Sequence, residues 1–420
     1  MTFNILITSI SKKVLLVKSF KTYVNNNNGL LYTTDININS PALFFSDDYF
    51  ISPRTDSDDY LNFMINKCKM YNIKLIIPTS CRELYFFAKN KEKFNEFGCN
   101  VMVCSTDSLD ICQNKKKFVN FCIENSIPVP NTYNDKEDIK EYPVFSKPIY
   151  GAAGKSCIKI NNNLELNNIS FKDNIVQEFV DSQEYTIDYL GDFNGNYLKC
   201  IPRKRINVIN GESCVSKICD SPIIVENCIK IGNLLKLVGH NTLQCFYDKN
   251  NNVIKFIEIN PRFGGAGNLG ITGGLNSPKI IIDLLINKEI NINQVDDSLV
   301  MLRYSSDIFG YIDNNIYKPM ILKSNKKTFC IDIDGTICTE NCKYEDAKPI
   351  KKTIDKINEL YNNNKIILFT SRGYTSKFDW RPLTEKQLDS WGLKYHELIF
   401  GKPFADYYID NKAIDILDWV

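Results

Sequence analysis

Glu258-Ile259-Asn260-Pro261-Arg262-Phe263-Gly264-Gly265 follows a short apolar run, residues 253–257, that reads as a strand. On a strand alternate side chains share a face, so Glu258, Asn260 and Arg262 fall in one row: an anionic oxygen ligand, a neutral oxygen ligand and a fixed cation. That row suits magnesium and polyphosphate. Mg2+ takes hard oxygen ligands and shares its shell with substrate phosphates, and a guanidinium neutralises charge spreading over a transferring phosphoryl group. Taken alone, the same residues also describe an edge strand with solvated polar side chains, so the choice rests on the rest of the chain.

The 420 residues exceed one ordinary domain and suggest about two to four. With 44% hydrophobic and 24% charged residues the chain belongs among globular proteins, and its net charge of +2 makes no case for a nucleic-acid partner or an anionic membrane. No apolar run approaches the roughly 20 residues that span a bilayer, and the opening residues lack the basic flank of a signal peptide, so a cytoplasmic location is expected. The 15 cysteines are scattered and odd in number. Reduced core thiols are expected rather than a disulfide framework or zinc site, with Cys338 and Cys342 the one pair to watch. His240 and His396 are the only histidines, so catalysis has to rest on carboxylates, lysines, arginines and metal.

In chain order, residues 3–8 read as a strand, 12–21 as a helix and 30–34 as a strand ending at Asp35. Residues 60–71 have helical periodicity, 74–77 form a buried strand and 100–104 another. Residues 1–108 therefore read as a parallel α/β, Rossmann-like domain. Its first turn, Thr8-Ser9-Ile10-Ser11-Lys12, lacks the glycines of a dinucleotide site.

A second region, residues 109–325, opens with a helix at Lys115. The strand 143–148 ends on Lys147. Residues 151–156, bounded by Gly151 and Gly154, form a small-residue loop able to cradle phosphates or simply to turn a hairpin. Strands at 175–180 and 184–188 carry Glu178 and Glu184. Arg203 and Arg205 alternate on a further strand, which gives either a two-pronged carboxylate site or a solvated basic edge. Gly264 to Gly267 and Gly273-Gly274 allow close backbone approach to a substrate, or serve as turns.

Together these residues resemble the ATP-grasp superfamily, most closely its branch similar to the carbamoyl-phosphate synthetase large subunit, over residues 1–290. The resemblance implies that Lys115 and Lys147 contact ATP, that Glu178 lies at the adenine hinge and that Glu184 holds the ribose. It places Gln244, Glu258 and Asn260 on the metal and makes Arg262 the phosphoryl-stabilising arginine. Two departures are visible: Asn114 stands where the family often has Asp, and Gln244 is neutral. The implied reaction activates a carboxylate as an acyl phosphate, which an amine then attacks to give an amide, ADP and phosphate. A carboxylate is a poor electrophile, and phosphorylation supplies the leaving group it lacks.

Beyond a boundary near 325, the strand 328–331 runs into Asp332-Ile333-Asp334-Gly335-Thr336. One carboxylate can attack a phosphate while the other, two residues on, protonates the leaving oxygen, and Gly335 permits the turn between them. Thr370-Ser371-Arg372-Gly373 ends a strand, and Gly401-Lys402-Pro403 and Asp406 to Asn411 follow. Residues 326–420 resemble the haloacid dehalogenase (HAD) phosphatases, especially small members associated with capsule biosynthesis. The resemblance makes Asp332 the nucleophile, Asp334 the general acid and base, Thr370 a phosphoryl-oxygen ligand and Lys402 the neutralising cation. It gives Mg2+ to Asp332, the Asp334 carbonyl and Asp410. Asn411 departs from the family's second acid, a role in which Asp406 would assist. Too few residues separate Thr336 from Thr370 for a large cap.

The expected architecture is a multidomain α/β protein. A Rossmann-like pre-ATP-grasp domain precedes an α+β ATP-grasp domain, and a Rossmannoid HAD domain with minimal cap follows. The expected function is a bifunctional enzyme, using ATP and Mg2+ or Mn2+, that ligates a small carboxylate to an amine and hydrolyses a small phosphorylated metabolite such as a phosphosugar. A homodimer is compatible with it. Two other readings stay open, an ATP-grasp kinase and a nucleotide-sensing module that controls the phosphatase.

Overall fold

The computed structural model describes residues 3–151, 156–292, 294–313, 316–319, 328–362 and 364–402. The chain divides into two compact units, Met1–Ile308 with Ile312–Lys318, and Phe309–Tyr311 with Pro319–Val420.

The first unit opens with five strands: β1 (Asn4–Thr8), β2 (Leu30–Asp35), β3 (Asp48–Ile51), β4 (Ile73–Pro78) and β5 (Asn100–Val101). They form a parallel sheet in the order β3-β2-β1-β4-β5. β1 and β4 read as continuous apolar runs because both of their faces are covered. Ile5, Ile7, Leu75 and Ile77 pack with Leu16, Val17, Phe20 and Val24 of helix α1 (Val14–Asn26). Leu6 and Ile76 share a second core with Met64 of α2 (Tyr60–Met70) and Phe87 and Phe94 of α3 (Cys81–Asn95). α1 begins two residues later than its sequence pattern suggests, because Ser9 and Ser11 both take positive φ in the turn that precedes it. The strand expected at 100–104 is paired only over Asn100–Val101.

Helices α4 (Thr106–Gln113) and α5 (Lys115–Glu124) lead into a four-stranded antiparallel sheet. Its strands are β6 (Thr132–Tyr133), β7 (Val144–Pro148), β8 (Ile158–Ile160) and β9 (Asn174–Glu178), in the order β6-β9-β7-β8, with α6 (Asn163–Leu166) before β9. Val144, Ile160, Leu166 and Val176 make its small core.

The larger antiparallel sheet contains β10 (Glu184–Gly191), β11 (Tyr197–Ile209), β12 (Glu212–Ile218), β13 (Gly239–Asp248), β14 (Val253–Asn260) and β15 (Val300–Leu302). Its order is β14-β13-β10-β11-β12-β15. Helix α7 (Pro222–Leu235) buries Ile224, Cys228 and Ile231 in the same core as Ile187, Leu243 and Phe256 of the sheet. The segment after Arg262 folds as α8 (Asn268–Gly270), a π turn at Ile271–Leu275 and α9 (Ser277–Leu285). A Cβ on Gly270 would lie 2.2 Å from Asp188 Oδ2, and one on Gly273 would lie 1.9 Å from Ile218 Cδ1. Both glycines let the segment press on the sheet, and at Gly273 the close approach expected from the sequence is to the protein itself. A two-stranded sheet of β16 (Gly310–Asp313) and β17 (Ile316–Pro319) comes next in the chain.

The second unit holds three parallel strands, β18 (Thr328–Ile331), β19 (Lys365–Thr370) and β20 (Glu397–Phe400), in that order. Ile354 and Ile357 of α10 (Lys351–Tyr361) and Leu388 of α11 (Arg381–Ser390) pack with Ile331, Ile366 and Leu368. Gly335 takes φ +79° in the turn that directly follows Asp334. All 15 cysteines are free. Cys338 is buried and Cys342 exposed, and among the described residues no group of three His, Cys, Asp or Glu could hold a metal ion. No helix among them is long and apolar enough to cross a membrane.

Candidate active site

In the first unit the site forms where β7, β13 and β14 and the start of α5 meet. Asn114 caps α5, its Oδ1 accepting from the amides of Lys116 and Lys117 at 3.0 and 3.1 Å. An amide oxygen thus does the capping work of the Asp that the family often has here. The cap leaves Lys115 buried at the first position of the helix. Its Nζ donates to the Gly151 carbonyl at 2.9 Å and lies 3.8 Å from Glu258 Oε2. Lys147, at the end of β7, is 4% exposed and donates to the Ile257 carbonyl at 3.2 Å. Burial pushes its ammonium down to about 8, against the opposing pull of Glu258 and with the help of Lys115.

Gln244 and Glu258 stand opposite each other on β13 and β14. The Gln244 amide donates to Glu184 Oε1 at 2.9 Å, and the same oxygen accepts from Arg205 Nη1. Asn260 Nδ2 donates to Glu258 Oε1 at 3.0 Å. β14 ends at Asn260, so Arg262 lies beyond the strand rather than on it. It nonetheless rejoins the row, since its Nη2 donates to Asn260 Oδ1 at 3.4 Å. Glu178, at the end of β9, accepts from the Asn131 amide at 2.7 Å and from Lys255 Nζ at 2.6 Å. The structure thus gathers Lys115, Lys147, Glu184, Gln244, Glu258, Asn260 and Arg262. Gly151 lies against Lys115, whereas Gly154 falls outside the described residues.

The structure changes the expectation for Arg203 and Arg205 in one respect. β11 lies inside the sheet between β10 and β12, so the basic-edge alternative does not hold, and each arginine is engaged by a carboxylate of β10. Arg203 is 1% exposed, and its Nε and Nη2 donate to Asp188 at 2.6 and 2.9 Å. Arg205 is buried too and donates to Glu184 and to the Gly211 carbonyl. Alternation puts both side chains on one face as expected, the face that also carries Glu184 and Gln244.

Two side chains at this site escape the sequence reading. Lys255 has no motif around it. Cys81, whose Sγ accepts from Arg262 Nε at 3.0 Å, is one of many scattered thiols. A local signal exists for its helix, the capping box of Ser80 and Glu83.

In the second unit Asp332 follows β18 and Lys402 Nζ lies 2.9 Å from its Oδ2. Thr370 ends β19 and is fully buried, its Oγ1 accepting from the Arg372 amide at 3.1 Å. The structure does not leave Asp334 free. Arg372 grips it through Nε at 3.1 and 2.9 Å and Nη2 at 2.6 Å. Asp406, Asp410 and Asn411 lie outside the described residues.

The family described as PylC-like, N-terminal domain matches residues 5–102, and the ATP-grasp domain family matches residues 112–266. No curated protein matches the sequence. Among solved structures, the biotin carboxylase domain of 2-oxoglutarate carboxylase from Hydrogenobacter thermophilus, in complex with MgADP, ADP and bicarbonate, aligns with TM-score 0.57 at 14% identity. That alignment covers 71% of this chain and 74% of the other. An L-amino acid ligase from Bacillus licheniformis aligns with TM-score 0.52 at 16% identity over 67% and 74% of the two chains. A pyruvate carboxylase from Rhizobium etli aligns with TM-score 0.57 at 16% identity over 69% of this chain, which spans only 29% of that protein. At such identities the likeness speaks for the fold alone. The fold, the gathered lysine and carboxylate side chains and the two family matches agree: this chain carries a PylC-like N-terminal domain followed by an ATP-grasp domain.

Proposed function

We propose that the first unit is an ATP-dependent carboxylate–amine ligase. The observation that carries this is the meeting of two buried lysines, Lys115 and Lys147, with Glu258, Asn260 and Arg262. Two ammonium groups and a guanidinium around one carboxylate leave an excess of positive charge in a desolvated place, which polyphosphate would balance.

The donor set fits Mg2+ arriving with the nucleotide. Glu258 supplies one carboxylate and Gln244 and Asn260 supply amide oxygens, a sparse set of the kind Mg2+ completes with phosphate oxygens. Held by Glu258, Gln244 and Asn260, the ion would supply Lewis-acid withdrawal of charge from the phosphates. Lys115 and Lys147 hold the phosphates. Arg262 neutralises charge on the phosphoryl group as it passes from ATP to the substrate carboxylate. The bond from the terminal phosphorus to the ADP oxygen breaks as the bond to the carboxylate oxygen forms. The amine then attacks the carbonyl of the acyl phosphate, expelling phosphate and losing a proton to give the amide. Glu184, held by Gln244 and Arg205, is placed for the ribose, and Glu178, held by Lys255 and the Asn131 amide, for the adenine end.

The test is ADP release from purified protein with MgATP against panels of amino acids, sugar acids and amines. Release that needs both a carboxylate and an amine is expected, and Arg262→Ala or Glu258→Gln should slow it by about 10² to 10³. Tight MgATP binding without release under any pairing would instead favour the nucleotide sensor.

For the second unit a phosphatase reading is supported by Asp332, Thr370 and Lys402 lying at the ends of β18, β19 and β20. Asp332 would attack phosphorus and Lys402 would neutralise the phosphate oxygens, whereas Asp334 could protonate the leaving oxygen only after parting from Arg372. Asp332→Asn should abolish hydrolysis of p-nitrophenyl phosphate while ADP release continues. Equal hydrolysis by both proteins would end this reading.

A further inference from the structure

Arg262 is reached from the N-terminal domain by a side chain 181 residues away. α3 starts at Cys81, and its first turn is fixed by a closed set of hydrogen bonds. Ser80 accepts from the Arg82 amide, and the fully buried Glu83 accepts from the amides of Thr79 and Ser80 at 2.8 and 3.0 Å and from Ser9 Oγ at 2.7 Å. Gln113 at the end of α4 adds a bond to the Cys81 carbonyl at 3.2 Å. The Cys81 backbone is therefore held in place, and its sulfur meets the two residues that matter: Arg262 Nε donates to Sγ at 3.0 Å, and Sγ lies 4.0 Å from Asn260 Oδ1.

The guanidinium needs such a hold. Its Nη1 donates to the Phe263 carbonyl at 3.0 Å and its Nη2 to Asn260 at 3.4 Å, a long bond to a side chain that also serves Glu258. Lys13 stands close enough for the charge of Arg262 to depress its ammonium, after the larger effect of burial, so the two cations repel. The Nε–H to sulfur contact is the hydrogen bond to this guanidinium that comes from another domain. It also occupies the edge of the guanidinium, which turns Nη2 toward the row that ends in Glu258.

We infer that Cys81 is a positioning residue of the ligase site, its sulfur setting the orientation of the Arg262 guanidinium across the two domains. This rests on the ligase reading for its consequence in turnover, though not for the contact itself. Removing the sulfur leaves Arg262 present but loose, so the chemical step slows while nucleotide binding, carried by Lys115 and Lys147, does not.

The experiment compares wild type, Cys81→Ala, Cys81→Ser and Arg262→Ala by two readouts. In the first, the Arg262 Nε–H resonance, assigned by its loss in Arg262→Ala, should exchange with solvent about tenfold faster in Cys81→Ala and near the wild-type rate in Cys81→Ser, whose hydroxyl also accepts. In the second, ADP release from MgATP should fall about tenfold in Cys81→Ala, with the calorimetric Kd for MgATP within about twofold, and should recover in Cys81→Ser. Adding Cys81→Ala to Arg262→Ala should cost nothing more. Unchanged exchange in Cys81→Ala would overturn the inference, and so would equal losses of MgATP affinity and of turnover. If wild type releases no ADP at all, the ligase reading falls, while the exchange rates still decide the role of Cys81.

Discussion

Each unit buries an arginine on an aspartate, and the two pairs do different work. Arg203 and Asp188 meet diagonally across neighbouring strands β11 and β10, sealed from solvent, with His240 Nε2 3.4 Å from Asp188 and His240 Nδ1 2.9 Å from Ser277. Burial alone would raise the Asp188 carboxyl, yet Arg203 and His240 hold it below the ordinary range. Arg372 is equally buried, with Nη1 on Thr384 and Gln387 at 3.2 and 2.7 Å and Tyr344 4.7 Å from its guanidinium carbon. Its partner Asp334 is different: the side chain keeps 23% of its exposure and lies two residues from Asp332. A sealed pair can only brace a sheet, whereas a pair with one solvated member can open. The same bidentate geometry is therefore structural in one unit and compatible with a gated proton donor in the other.

The sharpest way to break this contrast is Arg203→Met, which strands an anion in the core. It should cost roughly 3–5 kcal/mol in denaturant unfolding of the first unit, most of it recovered by adding Asp188→Leu. A loss below about 1 kcal/mol would remove the brace. Arg372→Met should cost less, about 2 kcal/mol, because the Asp334 carboxylate can rehydrate. Equal losses in the two variants would erase the distinction.

Lys147 gives the smallest effect and contrasts a buried cation proposed to meet a ligand with those paired to a protein carboxylate. Its pKa is lowered to about 8, so it is charged below that pH and neutral above, and bound phosphate favours the charged form. The calorimetric affinity for MgATP should weaken as pH rises through about 8, by up to about tenfold per pH unit. Lys147→Met should bind weakly and without that pH dependence. A flat wild-type profile would mean that Lys147 does not meet the phosphates.

Much of this was legible because strand and helix ends are local. β18 is found where its apolar run ends in Asp332, and Lys115, Lys147, Glu178, Glu184 and Glu258 sit at or near element ends that periodicity and turn residues mark. Arg203 and Arg205 show the limit of such reasoning. A period of two places side chains on a common face but does not say whether another strand lies alongside or what meets that face, and only the tertiary structure pairs β11 on both sides and holds its arginines on Asp188 and Glu184. The sequence by itself determined the alternation of elements, the basic and acidic residues at their ends and the D-x-D-G-T turn, since these depend on neighbours a few residues apart. Tertiary structure alone decided that Cys81 meets Arg262, that Arg372 grips Asp334 and that Lys147 loses its water, because a hydrogen bond or a desolvated charge is set by atoms close in space whatever their separation along the chain.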